Sequence, residues 1–103
     1  WELCKAFDNA APIGRFIPLE EVGGNIQDLH FQLRKNGEVV QLGHTADMLF
    51  QVDTLIAYVS RYFTLKTGDL LFTGTPAGVG PVVIGDHLQA DVEGKTLLDF
   101  YIR

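Results

Sequence analysis

A chain of 103 residues that is 47% hydrophobic and 20% charged can build one small domain, or part of a larger one, and is too apolar for disorder. Its net charge of −5, from 13 acids against 8 bases with no basic cluster, argues against a nucleic-acid partner. No apolar run is long enough to span a membrane, and the single cysteine, Cys4, can form no internal disulfide, which fits a reducing compartment.

The opening at Trp1-Glu2-Leu3-Cys4-Lys5 carries no basic segment or signal-type apolar core and reads as a stretch of a longer protein. Residues 1–18 keep neither helical nor strand period and are expected to form a long loop with apolar anchors. Lys5 is either a solvated lysine or a cation placed near an anionic substrate.

Residues 28–43 carry the clearest local pattern. Leu29, Phe31 and Leu33 alternate with His30, Gln32 and Arg34, and Asn36-Gly37 supplies a two-residue turn before the chain returns. A regular hairpin places Leu33 opposite Val40 and Phe31 opposite Leu42, with His30 on the polar face as a surface histidine. The connector Gly43-His44-Thr45-Ala46-Asp47-Met48 leads to a helix over about 52–63, marked by Val52, Leu55, Ile56, Val59 and Phe63. His44 and Asp47 are a conceivable metal pair, but no third ligand is spaced beside them, and a polar connector is the simpler reading. Tyr58 and Tyr62 either widen the helix's buried face or mark a partner surface.

Lys66-Thr67-Gly68-Asp69 turns the chain into an apolar run, 69–72, that reads as a buried strand. It leads into Thr73-Gly74-Thr75-Pro76-Ala77-Gly78-Val79-Gly80-Pro81. That segment lacks the Gly-Lys-Ser/Thr of a Walker loop, and Pro81 with a strand-like 82–84 follows where a dinucleotide fingerprint would open a helix. Two readings remain: a structural turn, or a rigid loop whose N–H groups and Thr73 and Thr75 hydroxyls hold a small anion such as a carboxylate. Strands over 87–92 and 96–102 follow, joined by a tight turn at Gly94-Lys95. The final apolar face is either Leu98, Phe100 and Ile102, or the set that a two-residue loop places opposite Val92, Ala90 and Leu88. Asp91 and Glu93 share a strand face, as a cation pair or as the wet side of an edge strand; the wet side is the stronger reading.

Three of these stretches, Lys5-Ala6-Phe7-Asp8, Gly43 to Met48, and Lys66 to Pro81, stand in the order in which they stand in the fumarylacetoacetate hydrolase family, and the chain resembles that family's C-terminal part over its whole length. The resemblance is nearest to the small acylpyruvase-type members. It implies an α+β, β-rich fold: part of a mixed β-sheet roll with β-hairpins and one main helix, residues 1–103 forming the C-terminal part of one catalytic domain. It implies a cytoplasmic, dimeric enzyme that uses Mg²⁺ or Mn²⁺ on short 2-oxo or 1,3-diketo acids through an enolate, first by carbon–carbon hydrolysis such as that of an acylpyruvate, with oxaloacetate-type decarboxylation or isomerisation as the alternative. Lys5 matches the family lysine near metal and substrate, Gly74 and Thr75 match the loop that contacts substrate, and Asn9 falls where some members place a further polar residue. The family's Glu-x-Glu and aspartate metal ligands lie upstream of the lysine, so this chain is expected to hold no metal ligand of that set and no turnover by itself. A reading of another class is a non-catalytic β-rich binding or assembly module, to which the Lys5 and Thr75 motifs would be surplus.

Overall fold

The computed structural model describes residues 8–103. Four strands form one sheet: β1 (His30–Lys35), β2 (Glu38–His44), β3 (His87–Val92) and β4 (Lys95–Tyr101). The sheet order is β2-β1-β3-β4, and all three pairings are antiparallel. One helix, α1 (Val52–Ser60), and two short 3-10 turns, Leu19–Val22 and Thr45–Asp47, complete the regular structure of the described residues. This is the α+β, β-rich class that the sequence implies.

The first hairpin turns through Asn36 (φ 53°) and Gly37 (φ 85°), both left-handed, the turn that matches strand twist. Its register differs from the regular one. Lys35 pairs with Glu38 and Arg34 with Val39, then Leu33 pairs with Gln41, so Val40 is an extra residue in β2. Such a bulge moves every later side chain to the other face. Leu42 therefore lies opposite Gln32, not Phe31, and is 72% exposed. Gly43 takes the place opposite Phe31, whose ring covers it so closely that a Cβ there would overlap the ring.

The second hairpin repeats this plan. Its turn is Glu93-Gly94 (φ 48° and 77°), one residue earlier than expected. Val92 pairs with Lys95 and Asp91 with Thr96, then Leu97 bulges and Ala90 pairs with Leu98, Leu88 with Phe100. The bulge reconciles the two registers that the sequence left open: the loop has two residues, yet Leu98 and Phe100 fall on the apolar face. That face is centred on the buried Leu88 beside the half-buried Leu33 and Ala90, with the buried Leu29 just before β1.

Helix α1 starts where Gln27 Oε1 accepts the Val52 N–H, 2.5 Å away, a capping bond supplied from outside the helix. It is shorter than the expected 52–63, because the Arg61 and Tyr62 N–H groups bond the Tyr58 and Val59 carbonyls, three residues back, and tighten the last turn. Val52, Leu55 and Val59 are half-buried; Ile56, Tyr58, Tyr62 and Phe63 are exposed.

Residues 69–72 are not the buried strand expected of them. They pair with no strand, and Phe72 is 70% exposed. The strand-like 82–84 likewise form no ladder. This part of the chain is held by side chains: Asp69 caps the Lys66 N–H, Lys35 Nζ donates to the Pro81 carbonyl at 3.2 Å, and Asp86 accepts from the Val83 N–H. An apolar run without a neighbouring strand has no ladder to join.

Candidate functional site

The bulge at Val40 brings the glycine-rich loop onto the sheet. Gly78, at φ 106°, lies against the Val40 carbonyl so closely that a Cβ there would overlap it. The next residue, Gln41, donates from Nε2 to Thr75 Oγ1 (2.8 Å) and to the Pro76 carbonyl (3.0 Å). Both N–H groups of that amide are thus used on the loop. Because the Thr75 oxygen accepts the bond, the Thr75 hydroxyl keeps its own proton for another acceptor.

A cleft of about 420 Å³ opens between this loop and the connector after β2. Thr73, Gly74, Thr75 and Pro76 form one wall; Gly43 to Thr45, Asp47 and Met48 form the facing one, with Phe31 and Leu55 at the apolar base. The connector is fixed by Thr45, whose N–H donates to the Leu29 carbonyl and whose Oγ1 accepts the Leu29 N–H, each at 2.8 Å. Gln27 Nε2 holds the Thr45 carbonyl at 3.0 Å. The two sequence motifs therefore converge in space, and the loop lies across β2 instead of continuing from a strand end.

Among the described residues, the cleft's ionisable donors are Asp47 and His44. Mg²⁺ and Mn²⁺ take oxygen-rich ligand sets of about six, so one carboxylate and one imidazole do not make such a site. The His44–Asp47 pairing is not formed. His44 Nε2 instead bonds Asp28 Oδ1 at 2.7 Å, and its ring stacks on His30 with centroids 4.0 Å apart.

Asp91 is not on a wet face. It is 7% exposed and accepts from Gln32 Nε2 (2.8 Å), Arg34 Nε and Nη2 (3.0 Å each) and Thr96 Oγ1 (2.6 Å). The Arg34 bonds first, then Gln32 and Thr96, hold its carboxyl down to about 2. With its oxygens so engaged it is a structural anchor between the hairpins, not half of an Asp91–Glu93 cation pair. Glu93 sits in the turn, where it accepts the His30 N–H at 2.6 Å; that bond lowers its carboxyl below the ordinary range.

Of the site residues named from sequence, Gly74 and Thr75 line the cleft. Asn9 is exposed at φ 64° and is not among the cleft residues. Lys5 and Cys4 lie outside the described residues. Two residues went unmarked: Gln41, whose role follows only from the bulge, and Asp28, whose partner His44 is its neighbour only once β1 and β2 pair.

A family model described as "Fumarylacetoacetate (FAA) hydrolase C-terminal" matches residues 1–102. The chain is 50% identical over 97 residues to the oxaloacetate tautomerase YcgM of Escherichia coli, covering 94% of this chain and 44% of that protein. The structure matches that of a fumarylacetoacetate hydrolase family protein from Yersinia pestis with a TM-score of 0.92 and 47% identity, over 100% of this chain and 48% of that one. It also matches maleylpyruvate hydrolase from Sphingobium with a TM-score of 0.82 and 32% identity, over 95% and 36%. The chain spans about half the length of the curated relatives it matches.

Proposed function

Because the chain belongs to the fumarylacetoacetate hydrolase family, whose members include tautomerases and hydrolases, we propose that it forms one wall of an active site for short 2-oxo acids, and that the reaction is the keto–enol interconversion of an oxaloacetate-type substrate. The observation that carries this reading is the Gln41–Thr75 bond, which leaves the Thr75 hydroxyl proton free at the cleft wall. A threonine held in this way, with the N–H groups of a glycine loop beside it, suits a substrate carboxylate. A cleft of about 420 Å³ suits a small molecule. The names of relatives favour tautomerisation over the acylpyruvate hydrolysis that the sequence resemblance put first, and hydrolysis of a related 2-oxo acid stands as the second reading.

In this scheme Thr75 and the backbone at Gly74 bind and orient the carboxylate, and Phe31 and Leu55 limit water at the base. Lys5, by its family position, would place a cation near the developing enolate. A divalent cation, Mg²⁺ or Mn²⁺, would polarise the 2-oxo group, held by ligands outside this chain. Tautomerisation moves one proton between carbon and oxygen and needs no attacking water, so it asks less of the site than carbon–carbon hydrolysis does. We assign the protein to the cytoplasm and to a homodimer, the latter supported by the exposed Tyr58 of α1 and Tyr62 just beyond its end, whose ring centroids lie 5.4 Å apart. Among the described residues no helix is long and apolar enough to cross a membrane.

The test uses the protein with its upstream segment. Loss of the enol absorbance of oxaloacetate reports tautomerisation, pyruvate release from oxaloacetate reports decarboxylation, and pyruvate release from an acylpyruvate reports hydrolytic cleavage. Thr75→Ala is expected to lower kcat/KM for tautomerisation about tenfold, mainly through KM, as loss of one hydrogen bond to a charged group predicts. An unchanged kcat/KM would overturn the role of Thr75. Pyruvate release faster than enol loss would overturn the reaction.

A further inference from the structure

We propose that Asp28, His30 and His44 form a second metal site, for a transition ion of the Zn²⁺ class, on the polar face of the sheet. His30 and His44 are directly opposite residues of β1 and β2, so the ladder itself sets their rings side by side, 4.0 Å apart and tilted by 15°. Asp28 stands two residues before His30 and reaches His44 Nε2 at 2.7 Å. One ligand atom from each of the three lies within 4.8 Å of the others. Donors around a tetrahedral ion with bonds of about 2.0–2.1 Å sit about 3.3 Å apart, so the Asp28–His44 pair is near that spacing already. A ring nitrogen donates in the plane of its ring, so the exposed His30 turns out of the stack to aim at the same ion, and the exposed Asp28 adjusts with it.

The frame is firm on both sides. Leu29, between Asp28 and His30, is buried and bonded through both backbone groups to Thr45, the residue after His44. Glu93 Oε1 lies 3.3 Å from His30 Nδ1. When Nδ1 donates to that carboxylate, the proton is fixed there and Nε2 keeps its lone pair for an ion, the way carboxylates orient metal-binding imidazoles. Two imidazoles and a carboxylate select a borderline ion such as Zn²⁺ and discriminate against Mg²⁺. The ion takes the place of the proton between His44 Nε2 and Asp28, and the neutral imidazole then carries its proton on Nδ1. His44 also lines the cleft, so the two sites share a wall.

The protein, stripped of metal and kept in excess Mg²⁺, is titrated with Zn²⁺ and followed by calorimetry and by the imidazole NMR signals. One saturable Zn²⁺ per chain is expected to shift His30 and His44 and to leave His87, the remaining histidine of the sheet, unmoved. His30→Gln and, independently, Asp28→Asn are each expected to weaken binding at least tenfold with circular dichroism unchanged. No saturable Zn²⁺ binding, an equal shift at His87, or affinity that survives both substitutions overturns the site.

Discussion

The two hairpins are the same object used twice. His30 corresponds to His87, Asn36-Gly37 to Glu93-Gly94, Val40 to Leu97 and His44 to Tyr101, and Leu33 pairs across the sheet with its own counterpart, Ala90. Each turn is left-handed at both positions, and each bulge falls at the same step. Each bulge carbonyl also receives a glycine from a crossing segment: Val40 receives Gly78 and Leu97 receives Gly14. Even the stacked rings recur, His30 on His44 and His87 on Tyr101. The difference lies one residue after each bulge. Gln41 carries an amide that grips the Thr75 loop, whereas its counterpart Leu98 offers only apolar contact. The backbone plan thus accepts a crossing chain at either hairpin, and the side chain beside the bulge decides whether that chain is merely covered or is held in a working position.

The largest effect is expected where the hairpins are joined. Arg34 and Asp91 occupy corresponding positions and form the ion pair between β1 and β3. Asp91→Ala leaves Arg34 half-buried without its partner and is expected to cost about 3 kcal/mol in urea unfolding. The pH dependence has a definite sign. Folding lowers the Asp91 carboxyl from 3.8 to about 2, so its contribution is complete above 3.8 and is lost as pH falls towards 2. Asp91→Asn should flatten that part of the stability profile. A profile as steep as the parent's would assign acid unfolding to other carboxylates.

The next test separates the two crossings. Gly78→Ala and Gly14→Ala each put a Cβ against a bulge carbonyl, and Gly78 adds a left-handed φ. Each is expected to cost about 1–3 kcal/mol. Only Gly78→Ala should also raise KM for oxaloacetate in the protein with its upstream segment, because only that crossing carries Thr75. Equal effects on KM would mean that the loop is not positioned through the bulge. Gln41→Leu writes the second hairpin's residue into the first. It should cost about 1 kcal/mol or less in stability, with a several-fold rise in KM and little change in kcat.

What could be read from the residues follows the range of the forces involved. The hairpin over 28–43, with its Asn36-Gly37 turn, is set by neighbours in sequence, and the start of α1 by the period of Val52, Leu55 and Val59. The bulges are not visible locally: Val40 opposes no residue of β1 and meets Gly78 from far along the chain, and no alternation pattern reports that. The same blindness explains Leu42, placed on the apolar face by alternation and found opposite Gln32. It explains residues 69–72, whose apolar character describes what they could bury and not whether a strand lies beside them. Motif spacing marked Gly74 and Thr75, and the structure places both in the cleft lining. It missed Gln41, Asp28 and the anchoring of Asp91, because each finds its partner at a distance along the chain.

The smallest effect tests the two turns against each other. Asn36 and Glu93 both sit at positive φ, but asparagine tolerates this conformation and glutamate is strained in it by roughly 1 kcal/mol. Asn36 also links Asp86 Oδ1 and the His87 N–H, both at 2.9 Å. Asn36→Gly therefore removes two bonds and relieves little strain, and about 1 kcal/mol should be lost. Glu93→Gly relieves the strain while releasing the His30 N–H, and the two nearly cancel. Its overall stability should stay within about 0.5 kcal/mol of the parent's, while the His30 amide exchanges faster with solvent. If both glycine variants lose equal stability, the Glu93 carboxylate contributes more to the end of β1 than its strained backbone takes away, and the turns are equivalent in energy as well as in shape.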